Sequence, residues 1–298
     1  MPELEYFVVD VFAEAPLKGN PLAVVMNTCN LGTEQMQAIA REFNLSETTF
    51  VERRTAEVEQ AEGVRVRIFT PSEELDFAGH PALGTASVLK LHAPETMRGD
   101  GITLALNLCP IPVRFAGEGL YGEMTQRDPE FGAELDPMEV ARLTGLAVED
   151  LDPALPPQVV STGTPFAMVV LRSAELLARL RVKLEKAEAW LDGRGAKWFY
   201  VLAPAMSQGE GRLDAWRARM QFPEGEDPGT GSAAGCAISY LVVRGAVTSD
   251  VRIHLSQGIE VGRPSDIFLS AHLDSARVTD VRVAGSTVSV AKGRLFLP

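Results

Sequence analysis

The sequence has few cysteines and no grouping of cysteine with histidine. Only three of its 298 residues are cysteine, and they lie far apart, at Cys29, Cys109 and Cys236. An odd and widely spaced set does not form a disulfide framework, and no Cys-x-x-Cys pair indicates a metal site. The four histidines are equally dispersed. We therefore expect no metal site.

Basic residues are scarce and long apolar runs are absent. Lys and Arg number 28 against 40 Asp and Glu, a formal net charge of −12. An acidic surface repels phosphate backbones, which argues against nucleic acid as a partner. No apolar stretch approaches the ~18 residues that a membrane span needs, and the segment Met1–Glu5 does not begin a signal peptide. We expect a cytoplasmic protein that binds neither nucleic acid nor membrane.

Two pairs of segments repeat along the chain. Gly19–Val25 and Gly163–Val169 share glycine, proline, alanine and a final valine, at an offset of 144 residues. Arg67–Pro71 and Arg219–Pro223 share both ends, at an offset of 152. Because the order is common and the offsets are nearly equal, the repeats indicate an internal duplication.

A glycine-opened apolar helix follows each Arg-to-Pro segment, at about Gly79–Leu91 and Gly231–Val243. The sequence therefore predicts an α+β fold of two pseudo-equivalent domains, each a mixed, curved sheet wrapped around one central helix. The N-terminal lobe is predicted at 1–117, completed by a C-terminal strand at 285–298, and the second lobe at 118–284. We expect the two halves to face each other across a cleft, where ligand sites are common.

Outside the repeats the elements are shorter. Helical spacing predicts a helix from about Thr33 to Phe43, which Asn44 ends in the left-handed conformation. Asp136 and Pro137 have the residue types of a helix N-terminus. From Ser265 onward the pattern predicts short strands separated by polar turns.

Glu47 is the first candidate for chemistry. It lies where a predicted helix has just ended and a strand begins. A carboxylate there can project into a cleft, where partial burial favours its protonated form and suits it to general acid/base work. A surface-loop glutamate, or one that caps backbone amides, is the alternative.

His80 is the second candidate, at the start of the first central helix. Gly79 lets the backbone approach a ligand, and free amides at a helix start attract an anion. The same positive helix end lowers the pKa of a histidine, which favours a neutral imidazole able to donate or accept a proton. The alternative is a histidine that only caps its helix.

Asp227 precedes the second central helix. A glycine-rich segment opens that helix and forms a second nest of amides suited to an anion; its members are Gly229, Thr230, Gly231 and Ser232. A carboxylate beside such a nest stays ionised, so a substrate amine or hydroxyl is its natural partner. An ordinary N-cap aspartate is the alternative reading of Asp227.

In combination these segments resemble the phenazine-biosynthesis isomerase family, whose fold is like that of diaminopimelate epimerase. The matching segments hold their order and spacing over nearly the whole chain: Asp10–Phe12, Gly19–Val25, Leu45–Thr48, Phe69–Pro71, Gly79–Pro81, Glu226–Ser232, Gln257–Gly258 and Gly262–Ser265.

The resemblance implies a cofactor-free isomerase that moves a proton on a small carboxylate substrate. It implies that Glu47 is the catalytic acid/base and that His80 and Asp227 are polar partners. Gly79 and Ser232 then shape the binding site. It also implies a homodimer and no metal, nucleotide or pyridoxal cofactor.

Two rival functions stay open. Epimerases of this fold use one cysteine from each half, whereas the corresponding places here resemble Ala78 and the pair Asp227-Pro228, which disfavours a two-thiol mechanism. An amino-acid epimerase or racemase is nevertheless the enzymatic alternative. A ligand-binding protein that retains the site without turnover is the non-enzymatic one.

Overall fold

The computed structural model describes residues 3–205, 214–223 and 225–297. Its contacts divide the chain into unit 1, residues 1–125 with 284–298, and unit 2, residues 126–283. The first boundary lies later than the predicted 117/118 because the strand at Tyr121–Thr125 pairs antiparallel with the strand before it.

The described residues form α-helices and β-strands, numbered here in chain order. The α-helices are α1 (Thr33–Phe43), α2 (Ala56–Glu62), α3 (Gly79–His92), α4 (Pro137–Thr144), α5 (Leu184–Asp192) and α6 (Gly231–Val243). The strands are β1 (Glu3–Val11), β2 (Asn20–Val25), β3 (Glu47–Glu52), β4 (Val64–Phe69), β5 (Glu74–Leu75), β6 (Gly101–Ala105), β7 (Pro110–Phe115), β8 (Tyr121–Thr125), β9 (Glu130–Glu134), β10 (Gln158–Ser161), β11 (Pro165–Val170), β12 (Trp198–Pro204), β13 (Ala215–Arg219), β14 (Gln221–Phe222), β15 (Gly225–Glu226), β16 (Ile253–Gln257), β17 (Ser265–Asp274) and β18 (Arg277–Phe296).

Unit 1 is a mixed sheet with α3 as its central helix. The strand order is β1, β2, β3, β4, β6, β7 and β8. From β1 to β7 the successive pairs are antiparallel, parallel, antiparallel, parallel and antiparallel. Residues 79–89 of α3 are all buried, and the helix packs against β1, β2 and β3. A helix that is apolar on every side belongs inside a core, as the sequence predicted.

Unit 2 repeats this architecture. From β10 through β11, β12, β13 and β16 to β17, the pairs are again antiparallel, parallel, antiparallel, parallel and antiparallel. Its central helix α6 is buried over residues 231–242 and packs against β10, β11 and β17. The predicted α+β fold of two pseudo-equivalent halves is confirmed, and the second central helix has the bounds that the sequence predicted.

An arginine–glutamate pair occupies the same place in each unit. Arg67 Nε and Nη2 donate to the two carboxylate oxygens of Glu74 at 2.8 and 2.5 Å. Arg219 makes the same two bonds to Glu226 at 2.8 and 2.6 Å. Both pairs are separated by seven residues and lie just before a central helix, so the duplication preserves an interaction as well as a topology.

The prediction of several short strands at the C-terminus is wrong. One strand, β18, covers Arg277–Phe296, and its residues belong to both units. Its buried residues Val281 and Val283 alternate with exposed polar residues. The polar residues are therefore the outer face of a continuous strand. In unit 1 it pairs antiparallel with β1, with Thr287 opposite Val11.

No helix in the part of the chain that the structure describes is long and apolar enough to cross a membrane.

Candidate functional site

In unit 1 a tight turn places Asn20 beside the start of the central helix α3. Gly19 has φ +67°, and a Cβ atom there would lie 2.3 Å from the carbonyl oxygen of Val11, so only glycine fits. The next residue, Asn20, begins β2 and is fully buried. Its Nδ2 donates a hydrogen bond of 3.1 Å to Nδ1 of His80, the second residue of α3.

His80 is neutral, and its contact with Asn20 favours one tautomer. Burial lowers the pKa of His80 to about 3, so the imidazole is uncharged near pH 7. With the amide nitrogen of Asn20 as the donor, Nδ1 accepts and the ring carries its own proton on Nε2. The neutral state agrees with the sequence prediction, but its cause is burial. The residue at the N-cap of α3 is Ala78, so His80 does not occupy the capping position.

Glu47 lies beside the protonated nitrogen of that ring. Its Oε2 is 3.3 Å from His80 Nε2, and its side chain is 15% exposed. Glu47 is the first residue of β3. Two residues further on, the hydroxyl of Thr49 contacts the hydroxyl of Thr85 in α3 at 2.8 Å. Side chains two apart share a face of a strand, so this face of β3 is turned towards α3.

The pair has an unequal division of roles. His80 offers a neutral N–H towards Glu47, and its other ring nitrogen already accepts a hydrogen bond. The 3.3 Å contact does not have hydrogen-bond geometry, so His80 is a neutral neighbour of the carboxylate, and Glu47 is the group able to take up and return a proton. Glu47 is only partly exposed, which fits a carboxylate that reacts with a bound molecule.

In unit 2 Asp227 and Thr230 form the corresponding polar group. Thr230 Oγ1 donates to Asp227 Oδ2 at 2.5 Å, and both residues are buried. The residue at the N-cap of α6 is Thr230, so Asp227 is not the N-cap aspartate that was the alternative. Gln257 and Tyr200 complete the group, with Tyr200 O–H donating to Gln257 Oε1 at 2.8 Å.

The remaining predicted residues cluster at the starts of the two central helices. Gly79 is the first residue of α3, and Gly231 and Ser232 are the first two residues of α6. Gly229 and Thr230 directly precede α6. The first N–H groups of a helix have no acceptor within it, so this segment can bind an anion. The structure thus joins Glu47 with His80 in one unit and Asp227 with the 229–232 segment in the other.

Three polar residues of these groups were not predicted. Asn20 and Gln257 belong to motifs that the sequence analysis quoted, but their types alone did not indicate a role. Tyr200 has no local signal at all, because it is one of several apolar and aromatic residues in a buried strand. Their partners are distant in sequence, which is why pattern reasoning missed them.

None of the three cysteines lies among the first residues of a central helix, where the candidate polar groups are. Cys236 lies inside α6, and burial raises the pKa of its thiol to about 11. A thiol that stays protonated at neutral pH is a poor base and a poor nucleophile. Cys29 is exposed and donates to the carbonyl oxygen of Arg53. Among the residues described, no group of three or more His, Cys, Asp or Glu is arranged to hold a metal ion.

A family model and curated relatives match nearly the whole chain. The model described as phenazine biosynthesis-like protein matches residues 9–293. A trans-2,3-dihydro-3-hydroxyanthranilate isomerase of Pseudomonas chlororaphis is 35% identical, over 98% of this chain and 99% of its own. The protein of the same name in Pseudomonas aeruginosa is 36% identical, with the same coverage.

Solved structures agree on the fold. A predicted epimerase from Pseudomonas aeruginosa has a TM-score of 0.81 and 35% identity, covering 99% of this chain and 100% of its own. A PhzF-family phenazine biosynthesis protein from Bacillus anthracis has a TM-score of 0.84 at 24% identity, covering all of both chains. A hydroxyproline epimerase from Agrobacterium vitis has a TM-score of 0.62 at 10% identity, covering 98% of this chain and 92% of its own. The last two show the fold alone.

Proposed function

The chain belongs to the phenazine biosynthesis-like protein family, and from this premise we propose that it is a cofactor-independent isomerase. The reaction moves a proton on a small carboxylate-bearing substrate. Two curated relatives with 35% and 36% identity are named isomerases of trans-2,3-dihydro-3-hydroxyanthranilate. The proposed substrate class is accordingly a small cyclic carboxylate with a conjugated system.

Glu47 is the proposed acid/base. Its carboxylate removes a proton from a ring carbon next to the conjugated system, and the electron pair of the broken C–H bond enters that system. The protonated Glu47 then returns the proton to another ring carbon. No atom is gained or lost and no redox partner is needed, so one carboxylate suffices.

The observation that carries this proposal is the contact of Glu47 Oε2 with the neutral His80 at 3.3 Å. A neutral N–H donor stabilises negative charge on a neighbouring carboxylate or substrate atom without competing for the transferred proton. A protonated imidazole would instead hold the carboxylate in an ion pair.

The role of Asp227 stays a prediction from the sequence. Its carboxylate is proposed to bind an amine or hydroxyl of the substrate, and the amides near Ser232 to bind the substrate carboxylate. Homodimerisation and a cytoplasmic location also stay predictions. Light scattering coupled to gel filtration tests the first, and cell fractionation tests the second.

Glu47→Gln is the direct test, with trans-2,3-dihydro-3-hydroxyanthranilate as the probe substrate. We expect kcat to fall by at least about a hundredfold, the usual size of a lost general acid/base. Binding of anthranilate, followed by thermal shift, should persist. Glu52→Gln is the matched control, because Glu52 lies on the same strand and its Oε2 faces Arg65 at 3.7 Å, away from His80. A Glu47→Gln variant with full turnover would refute the assignment.

An epimerase of an amino acid is the second candidate, favoured by the 35% identical structure named a predicted epimerase. Turnover in deuterated water separates the two. Deuterium incorporation with inversion at one carbon supports the epimerase, and transfer of hydrogen between two carbons supports the isomerase. A protein that binds ligand but neither moves hydrogen between carbons nor exchanges it with solvent would be a binding protein.

A further inference from the structure

Gln257 links the three polar residues of the Asp227 group. It is the last residue of β16 and is 1% exposed. Its Oε1 accepts the backbone N–H of Thr230 at 3.1 Å and the hydroxyl of Tyr200 at 2.8 Å. Its Nε2 donates to the backbone carbonyl of Asp227 at 2.7 Å and to Thr230 Oγ1 at 2.9 Å.

These partners fix the orientation of the Gln257 amide. A backbone N–H can only donate and a backbone carbonyl can only accept. The oxygen of the amide must therefore face Thr230 N and the nitrogen must face Asp227 O. A flipped amide would place donor against donor and acceptor against acceptor in a buried site, at a high cost.

The direction of the Thr230 hydroxyl follows from that orientation. Because Thr230 Oγ1 accepts a proton from Gln257, its own single proton is free to point at another acceptor. Asp227 Oδ2 lies 2.5 Å away, while the sulfur of Met220 lies 3.2 Å away. A carboxylate is a far stronger acceptor than a thioether, so the proton points to Asp227.

Tyr200 secures the other end of the chain of hydrogen bonds. Burial, together with the negative charge of Asp227, raises the pKa of Tyr200 well above its ordinary value. The phenol stays protonated and always donates to Gln257.

Gly258 adds a backbone contact beside Gln257. Its φ is +77°, and a Cβ atom there would lie 2.5 Å from the carbonyl oxygen of Pro228. The end of β16 thus packs directly on the segment that carries Asp227.

We infer that Gln257 is a positioning residue for Asp227, holding the carboxylate in one orientation through the hydroxyl of Thr230. Tyr200 in turn holds Gln257. The inference rests on the proposed function, in which Asp227 binds a polar group of the substrate. It adds a residue that makes this possible without touching the substrate.

Four variants test the inference. Gln257→Met keeps the volume but removes all the hydrogen bonds of the amide, and Tyr200→Phe removes only the phenol. Thr230→Val removes the hydroxyl, whereas Thr230→Ser retains it. Tyr240→Phe is the matched control, because Tyr240 is a buried tyrosine of the same unit whose hydroxyl donates to Pro156 O at 2.7 Å.

KM for trans-2,3-dihydro-3-hydroxyanthranilate, measured together with kcat, is the first readout. Gln257→Met and Thr230→Val should raise KM by about tenfold with a smaller change in kcat, since a hydrogen bond to a charged group that is proposed to bind the substrate is lost. Tyr200→Phe should raise KM by less, and Thr230→Ser should raise it less than Thr230→Val. Tyr240→Phe should leave KM unchanged, although it also loses a hydrogen bond of a buried tyrosine.

Hydrogen exchange of the Thr230 amide is the second readout and needs no activity. Gln257→Met should accelerate it, and Tyr240→Phe should not. If Gln257→Met matches Tyr240→Phe in both readouts, the inference is overturned.

Asp227→Asn separates this outcome from failure of the proposed function. An inactive Asp227→Asn with a normal Gln257→Met refutes only the positioning role. A fully active Asp227→Asn refutes the role of Asp227 and the positioning role together, while Glu47→Gln decides the proton transfer independently.

Discussion

Asn20 Nδ2 lies 3.1 Å from His80 Nδ1, and with the amide nitrogen as donor this hydrogen bond leaves the imidazole proton on Nε2, next to Glu47. Asn20 and His80 are 60 residues apart in sequence. A turn that only Gly19 permits brings Asn20 to the start of β2, and burial keeps the ring neutral. The orientation of His80 beside the proposed acid/base Glu47 therefore depends on Asn20, which does not take part in proton transfer.

The tautomer of His80 is directly measurable. Nitrogen-15 NMR of histidine-labelled protein should show the proton of His80 on Nε2, with the resonance assigned by its loss in His80→Gln. Asn20→Asp cannot donate and should move the proton to Nδ1, which turns the lone pair towards Glu47. Turnover should fall in Asn20→Asp and stay normal in Asn107→Asp, a control at an exposed asparagine. A wild-type signal from a protonated Nδ1 would contradict the tautomer.

Burial of neutral His80 makes the free energy of unfolding depend on pH in a direction that can be predicted. Between its unfolded value of about 6.5 and its folded pKa of about 3, the unfolded chain binds a proton that the folded chain does not. Stability should therefore fall as the pH is lowered through this window, by at most about 1.4 kcal/mol per pH unit. Calorimetric Tm values measured from pH 7 to pH 4 should decline more steeply for wild type than for His80→Gln. Equal slopes would mean that the imidazole is not buried in its neutral form.

The cysteines should be dispensable for turnover. Because burial raises the pKa of Cys236 to about 11, this thiol should resist Ellman's reagent at pH 8 in the native protein. Exposed Cys29 should react. The combined variant Cys29→Ser, Cys109→Ser and Cys236→Ala should keep its activity, and a complete loss, with the Tm preserved, would revive a thiol mechanism.

The two equivalent ion pairs should differ in their contribution to stability. The side chains of Arg219 and Glu226 are 6% and 8% exposed, against 16% and 23% for Arg67 and Glu74. Removing one partner of a buried ion pair lowers the free energy of unfolding by about 3–5 kcal/mol, because the other charge stays buried without its partner. The same removal from a more exposed pair lowers it by less. Arg219→Met should thus lower the Tm more than Arg67→Met. An equal or reversed order would contradict this ranking.

Local patterns predicted the elements that carry the site. Both central helices were found from glycine-opened apolar runs, and α6 has the predicted bounds 231–243. Asn44 ends α1 with φ 50° and ψ 37°, as its type indicates. Asp136 accepts from Met138 N and caps α4. Each of these depends on interactions within a few residues, which the sequence displays directly.

The C-terminal strand shows where prediction from short sequence patterns fails. Polar residues in 277–296 were interpreted as turns, but they form the outer face of β18. Whether a polar residue ends a strand or lines its exposed side depends on the neighbouring strands, and the partner of its second half is β1, nearly the whole chain away. Non-local pairing is invisible to a pattern of a few residues.

The sequence by itself determined the duplicated α+β architecture, the central helices and the candidates Glu47, His80 and Asp227, because periodicity, glycine placement and motif order are local properties. Only the tertiary structure decided the partners and states of those candidates. Asn20 meets His80 across 60 residues and Tyr200 meets Gln257 across 57. The neutral charge of His80 likewise follows from desolvation, which exists only once the chain has closed around the ring.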